Sequence, residues 1–192
     1  MALRKIELLG SDVLRIPADE VHGFDRELEE LVREMFETMY HAEGAGLAAP
    51  QIGISQRIVV VDVPLDQQDP LDPQVRSWQP EATDSSRIRL ALVNPRIVEQ
   101  SSQEERSPEG CLSIPGVDEV VSRPARVVLE ALDPRGQPLR VETDGLLARA
   151  FQHEVDHLDG VLFIDHLSPL KRRMLLKRYR KFLESEEGPG GS

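Results

Sequence analysis

The sequence predicts an α+β fold: antiparallel sheets around a central helix that carries the pattern HExxH, with one helix near each end of the chain. Three observations predict it. Short runs rich in Val, Ile and Leu recur between residues 57 and 143, separated by Pro, Gly and Asp. From Asp144 the apolar spacing changes to a helical period, with Leu147, Phe151 and Val155 on one stripe. Segment 25–43 shows helical spacing too, and Ser168-Pro169 is a helix-opening pair ahead of a long stretch without glycine.

Taken in order, DRELEELVREMFETMYHAE (25–43) is an amphipathic helix. Leu28, Leu31, Val32, Met35, Phe36, Met39 and Tyr40 share one face, Asp25 is placed to cap it, and Gly44 stops it. The Met and aromatic stripe is read as core. GAGLAAPQIGI follows, and then a strand at 57–63. The segment 64–87 holds four prolines without periodicity and reads as a long surface loop. Further strands are expected at 89–95, 117–122, 125–132 and 138–143. The DPRG turn signal makes the last two a hairpin. A helix at 144–160 ends on Gly160, a last helix spans 168–187, and GPGGS (188–192) is a disordered tail.

Bulk properties narrow the class. With 192 residues and 40% apolar content the chain suits one domain with one core. Aromatic residues are 4%, so aliphatic side chains must fill that core. A net charge of −11 argues against broad non-specific nucleic-acid binding, which needs a positive field. No apolar run approaches the roughly 18 residues of a membrane span. The first residues, MALRKIELLG, carry charge where a signal peptide would be apolar. The expectation is a cytoplasmic protein. One cysteine, Cys111, allows no intramolecular disulfide. A lone cysteine is usually a small buried hydrophobe, so its neighbours must decide its role.

QHEVDHLDG (152–160) carries the chemistry. Residues four apart share a helix face, so His153 and His157 can converge on one metal ion, with Glu154 beside them as an acid/base. A catalytic site of this kind takes three protein ligands. The G-x-x-H continuation of one zinc-protease class fails here, because Phe163 stands where histidine is required. The glutamates that a second class places downstream, Glu184, Glu186 and Glu187, fall at the end of a charged helix, and Asp165 and His166 would have to fold straight back. Cys111, in EGCLSIPG, is the remaining candidate. Two histidines and a cysteine leave a fourth position for water or substrate.

Three segments then match one family. GAGLAAPQIG (44–53), EGCLSIPG (109–116) and QHEVDHLDG (152–160) resemble, in order and spacing, the signature motifs of bacterial peptide deformylase. FETMYHAEG, RIVVVD, LVNP, ALDPRGQP and DGLLARAFQHE resemble it as well, so the likeness covers most of 25–170. It implies hydrolytic removal of the formyl group from newly made peptides that begin with formyl-methionine. It also implies a single catalytic domain over 1–187 and a ferrous ion, replaceable by zinc, nickel or cobalt. By the same resemblance Cys111, His153 and His157 are the metal ligands and Glu154 the acid/base. Gln51 and the N–H of Leu112 bind the oxyanion, and Gly44, Gly46 and Glu109 contact substrate. GSDVLR departs from the family, which more often has proline beside the aspartate, and the 64–87 loop is longer than in compact members.

Two other readings predict different sites. A zinc endopeptidase needs a downstream third ligand and no Cys111. A metal-stapled binding module needs a closed four-ligand site and leaves Glu154 without a task. KRRMLLKRYRK (171–181) adds seven basic residues and no acidic one. It is either a solvated helix whose cations suit the helix dipole or, as the resemblance implies, a contact to ribosomal RNA. The protein is expected to act as a monomer, away from membranes.

Overall fold

The computed structural model describes residues 3–64 and 86–186. The loop expected at 64–87 and the tail expected at 188–192 therefore lie almost wholly outside the described residues.

The first long element is helix α1 (Arg26–His41). Asp25 caps it by accepting from the N–H of Leu28 at 3.0 Å. Five antiparallel strands form the main sheet in the order β1 (Gly46–Ala48), β2 (Ile58–Pro64), β3 (Arg87–Gln100), β6 (Arg126–Leu132), β7 (Pro138–Asp144). β4 (Glu104–Cys111) and β5 (Ile114–Pro124) form a separate two-stranded sheet. Helix α2 (Gly145–Leu158) follows β7 directly, and α3 (Pro169–Glu186) closes the chain.

β2 shows how sequence becomes layers. Side chains alternate across a strand, and here both faces are apolar. Val59, Val61 and Val63 join Leu90, Leu92, Phe151 and Val155 in the core under α2. Ile58 and Val60 join Met35, Phe36 and Met39 in the core under α1. A strand buried on both faces needs the unbroken run IVVV rather than alternation. The third core joins α3 to the β4–β5 hairpin through Ile114, Val121, Phe163, Leu175 and Tyr179. Helix α2 is thus held between the main sheet and the hairpin, the central position expected of it.

The β6–β7 hairpin has the turn that DPRG demands. Asp133 accepts from the N–H groups of Arg135 and Gln137 at 2.8 Å each, and Gly136 takes φ +79°. Three features differ from the expectation. β1 is a three-residue strand inside the glycine-rich segment. β3 runs on past Pro95 to Gln100, because a register shift after Val93 absorbs the proline. At that point Asn94 takes φ +53° and its amide pairs with both backbone groups of Val21 at 2.8 Å. β4, with the sequence EERSPEGC, has no apolar alternation to announce it. It is set by pairing with β5 from Glu104 opposite Pro124 to Gly110 opposite Asp118.

Candidate metal centre

Helix α2 turns one face towards the gap between the main sheet and the hairpin. His153 and His157 stand one turn apart on that face, both buried. β4 ends opposite them at Cys111. The Cys111 Sγ lies 3.2 Å from His157 Nε2, and one candidate donor atom from each of the three residues lies within 4.8 Å of the others.

A second layer fixes His153. Its Nδ1 lies 3.1 Å from Glu109 Oε2, which leaves Nε2 for a metal. Glu109 also accepts from Arg123 Nε at 2.8 Å, Arg123 Nη2 at 2.9 Å and Arg149 Nη1 at 2.6 Å. Arg123 reaches on to Asp156 at 2.6 Å, and Asp156 pairs with His166 at 2.7 Å. Burial alone would raise the Glu109 carboxyl, yet Arg123 and His153 outweigh it and hold the group well below the usual carboxylate range. The substrate contact expected of Glu109 therefore cannot use its carboxylate. Both oxygens are taken, and the side chain is only 4% exposed.

Gln51 sits in the short 3-10 turn Ala49–Ile52, which carries it from β1 towards the hairpin. Its Oε1 accepts from the N–H of Ala48 at 2.8 Å, so Nε2 must turn the other way. It lies 3.6 Å from Cys111 Sγ and 3.3 Å from Ser113 Oγ. The amide is thereby oriented as a donor beside the sulfur.

Glu154 is 5% exposed, and its Oε2 is buried without a hydrogen-bond partner. Burial pushes its carboxyl up to about 7, with the charge of His153 opposing. An acid with that value can both take and give a proton near neutral pH. The two histidines are pushed apart. Burial would lower His153, but Cys111 and Glu109 hold it well above its usual value. Burial and the charge on His153 together press His157 well below it.

Gly46 shows how tightly the base is set. A Cβ built there would lie 2.5 Å from Glu154 Oε1, and one at Gly44 would lie 2.7 Å from Leu112 Cδ1. β1 pairs with β2 and forms one end of the strand order. Beside it opens a cleft of about 590 Å³, whose lining includes Gly44, Gly46, Gln51, Cys111, Leu112 and Glu154. His153 also reaches this lining, whereas His157 stands behind it at 1% exposure.

The donor set fits a divalent transition metal: one thiolate and two imidazoles suit iron, zinc, nickel or cobalt. The alternative third ligands are placed elsewhere. Asp165 is engaged by Arg15, Arg172 and the N–H of Leu162. Glu184 and Glu186 lie at the far end of α3, and Glu187 is outside the described residues.

Sequence reasoning missed Arg123, Arg149, Asp156 and Ser113. Arg149 had a signal, a charge four residues before His153 on the same helical face. Arg123 had none, since its link to Glu109 spans 14 residues across a hairpin that was not foreseen.

Comparisons with known proteins point to one family. The model of the family described as Polypeptide deformylase matches residues 3–173. A peptide deformylase of Natranaerobius thermophilus is 43% identical over 172 residues, covering 90% of this chain and 97% of that one. One of Acidobacterium capsulatum is 41% identical over 187 residues, covering 97% and 99%. The crystal structure of a peptide deformylase from Legionella pneumophila superposes with a TM-score of 0.81 at 40% identity, covering 98% of this chain and all of that one. A peptide deformylase from Synechococcus elongatus, solved in complex with actinonin, gives 0.77 at 42% identity, covering 91% and 86%.

Proposed function

This chain belongs to the polypeptide deformylase family, a family of metal-dependent hydrolases that act on formylated peptides, and from that premise we propose which of its residues carry the reaction. Cys111, His153 and His157 hold one divalent ion, which we assign as Fe2+, with zinc, nickel or cobalt able to replace it. When bound, the ion supplies Lewis-acid polarisation of the formyl carbonyl and a water acidic enough to react near neutral pH.

The chain's own groups do the rest. The extended backbone of a formyl-methionyl peptide lies along β1, where Gly44 and Gly46 leave room for it and the main chain of Gly46 hydrogen-bonds to it. Gln51 Nε2 and the N–H of Leu112 donate to the formyl oxygen as it gains negative charge. Glu154 takes the proton of the attacking water and delivers it to the departing amine nitrogen, so that formate and a free N-terminus result. Any contact of Glu109 with substrate is made by its main chain. Its side chain instead orients His153.

One observation carries this reading: a Cys–His–His set open on one side, with a buried carboxylate of raised pKa beside it and a strand edge along the cleft. An endopeptidase of the HExxH type would place a downstream histidine or carboxylate where Cys111 stands. The test is formate release from formyl-Met-Ala-Ser by protein purified without oxygen, compared with Glu154→Ala. Release by the parent, lost in the variant while metal stays bound, is expected. Failure of the metal-loaded parent to release formate would overturn the assignment.

The wider setting follows the same reading. No helix among the described residues is long and apolar enough to cross a membrane, and we place the protein in the cytoplasm as a monomer. On α3, Arg173, Lys177, Arg180 and Lys181 are exposed, while Lys171 and Arg178 pair with Glu119. The exposed set is our candidate for the contact with ribosomal RNA. Reversing Arg173, Lys177 and Lys181 to glutamate should weaken ribosome binding and flatten its salt dependence; unchanged affinity would remove the proposal.

A further inference from the structure

The two donors assigned to the formyl oxygen are carried by different sheets. Gln51 lies in the turn that leaves β1 of the main sheet, and Leu112 lies in the turn between β4 and β5. The chain's first segment bridges the two turns. The N–H of Glu7 donates to the carbonyl of Gln51 at 2.8 Å, and the N–H of Leu9 donates to the carbonyl of Ser113 at 2.8 Å. Both ends of the segment are anchored. Arg4 donates through its N–H to Thr38 Oγ1 at 3.0 Å and through Nε to Glu34 at 2.8 Å, both on α1. Beyond Leu9, Leu14 is buried in the core that joins α3 to the hairpin. Ile6, between these anchors, lines the cleft itself.

The spacing of those donors matters as much as their presence. A donor stabilises a developing oxyanion only when it lies about 2.7–3.1 Å from the position that the oxygen will occupy. Gln51 and Leu112 must meet that condition together, and a small slide of the hairpin against the main sheet would open the gap between them. The side chains of Gln51 and Ser113 also meet, Nε2 to Oγ at 3.3 Å, which orients the amide. The main-chain bonds to residues 51 and 113 hold the turns that carry the donors.

We propose that Glu7 and Leu9 are positioning residues of the reaction: residues 4–9 form a strap whose two main-chain hydrogen bonds set the distance between the oxyanion donors of Gln51 and Leu112. The inference rests on the reading of those two groups as donors. The strap works through N–H groups rather than side chains, so its place in the reaction is carried by the path of the backbone. It acts on charge that is present in the transition state and absent from the ground state, so its loss falls on kcat and spares KM.

The test removes one N–H at a time from the full metal-loaded chain and follows formate release from formyl-Met-Ala-Ser, with metal content measured in the same samples. Glu7→Pro should lower kcat by about 10–10²-fold, the upper figure being the cost of a 1 Å misplacement. KM and metal content should stay near the parent's. In a Gln51→Ala background Glu7→Pro should add almost nothing, because the donor that it positions is gone. Leu9→Pro, which acts on the Leu112 side, should still lower kcat in that background. A Glu7→Pro loss equally large in both backgrounds, or one carried by KM, would overturn the strap. So would fast hydrogen exchange at the Glu7 and Leu9 amides of the unaltered protein, a measurement that needs no variant to fold. A parent-like kcat in Gln51→Ala alone would instead sink the donor role of Gln51, and this inference with it.

Discussion

The Nδ1 of His153 lies 3.1 Å from Glu109 Oε2, and Arg123 and Arg149 converge on the same carboxylate. Removing that carboxylate takes the acidic partner from buried Arg149, leaves buried Arg123 with Asp156 alone, and frees the imidazole to rotate. Glu109→Ala should therefore cost about 3–5 kcal/mol of stability and weaken metal binding by about 10–100-fold. Urea unfolding of the metal-free variant and a competition against a chelator would measure the two. The sign of the pH effect follows from the lowered carboxyl. The folded state binds fewer protons than the unfolded one, so the stabilisation is complete above the ordinary value of 4.5 and is lost as pH falls below it. Glu109→Gln should flatten that acid limb of the stability curve, and an unchanged limb would contradict the assignment.

Glu154 predicts the opposite slope. Its carboxyl stands at about 7 in the folded chain against an ordinary 4.5. The folded metal-free protein therefore binds the extra proton, and Glu154 destabilises it increasingly as pH rises from 4.5 to 7. The full effect is on the order of 3 kcal/mol. Glu154→Gln should raise the stability of metal-free protein at pH 8 relative to pH 5. It should also lower kcat by about 10²–10⁴ with metal content unchanged. Calorimetry at the two pH values, beside steady-state formate release, checks both. Equal parent–variant differences at both pH values would show that the carboxyl is not perturbed.

These two carboxylates also show what was legible in the sequence. His153, Glu154 and His157 were visible because a helix fixes which residues share a face from spacing alone. Cys111 was reached through the shortage of other third ligands; the structure brings its sulfur within 4.8 Å of a ring nitrogen of each histidine and commits Asp165 to arginines. Strands with apolar runs, such as β2 and β6, announced themselves. β4 did not, because its pairing with β5 rather than its composition makes it a strand. The partners of Glu109 were hidden for the same reason: Arg123 and Arg149 lie 14 and 40 residues away, distances at which only the fold decides contact.

Gln51 carries a prediction that separates binding from catalysis. Its Oε1 is used by the N–H of Ala48, and Nε2 points at the sulfur and at Ser113. If that amide donates to the developing oxyanion, Gln51→Ala should lower kcat by about 10²–10³. KM should change little, because the donor acts on charge absent from the ground state. Gln51→Glu should lose at least as much, since a carboxylate offers no donor and repels the oxyanion. A rise in KM with kcat preserved would move Gln51 from catalysis to substrate binding.

Gly44 and Gly46 are two residues apart, yet alanine should act differently at each. At Gly46 the new Cβ meets Glu154 at Oε1, Cδ and Cγ, at 2.5, 2.9 and 3.0 Å. Most of that side chain must move, and the base moves with it. At Gly44 the close atom is Leu112 Cδ1 at 2.7 Å, the tip of a half-buried leucine that can rotate away. Gly46→Ala should thus lower kcat/KM by at least about 10²-fold, the cost of displacing a catalytic group by about 1 Å. Metal content and the melting temperature of the loaded enzyme should stay close to the parent's, since the three atoms nearest the new methyl group all belong to Glu154 and none to a ligand. Gly44→Ala should act mainly on KM, because Leu112 lines the peptide cleft. Formate-release kinetics on both variants, with metal content measured in the same samples, would decide. Loss of metal in Gly46→Ala would show that the strand supports the ligands as well as the base.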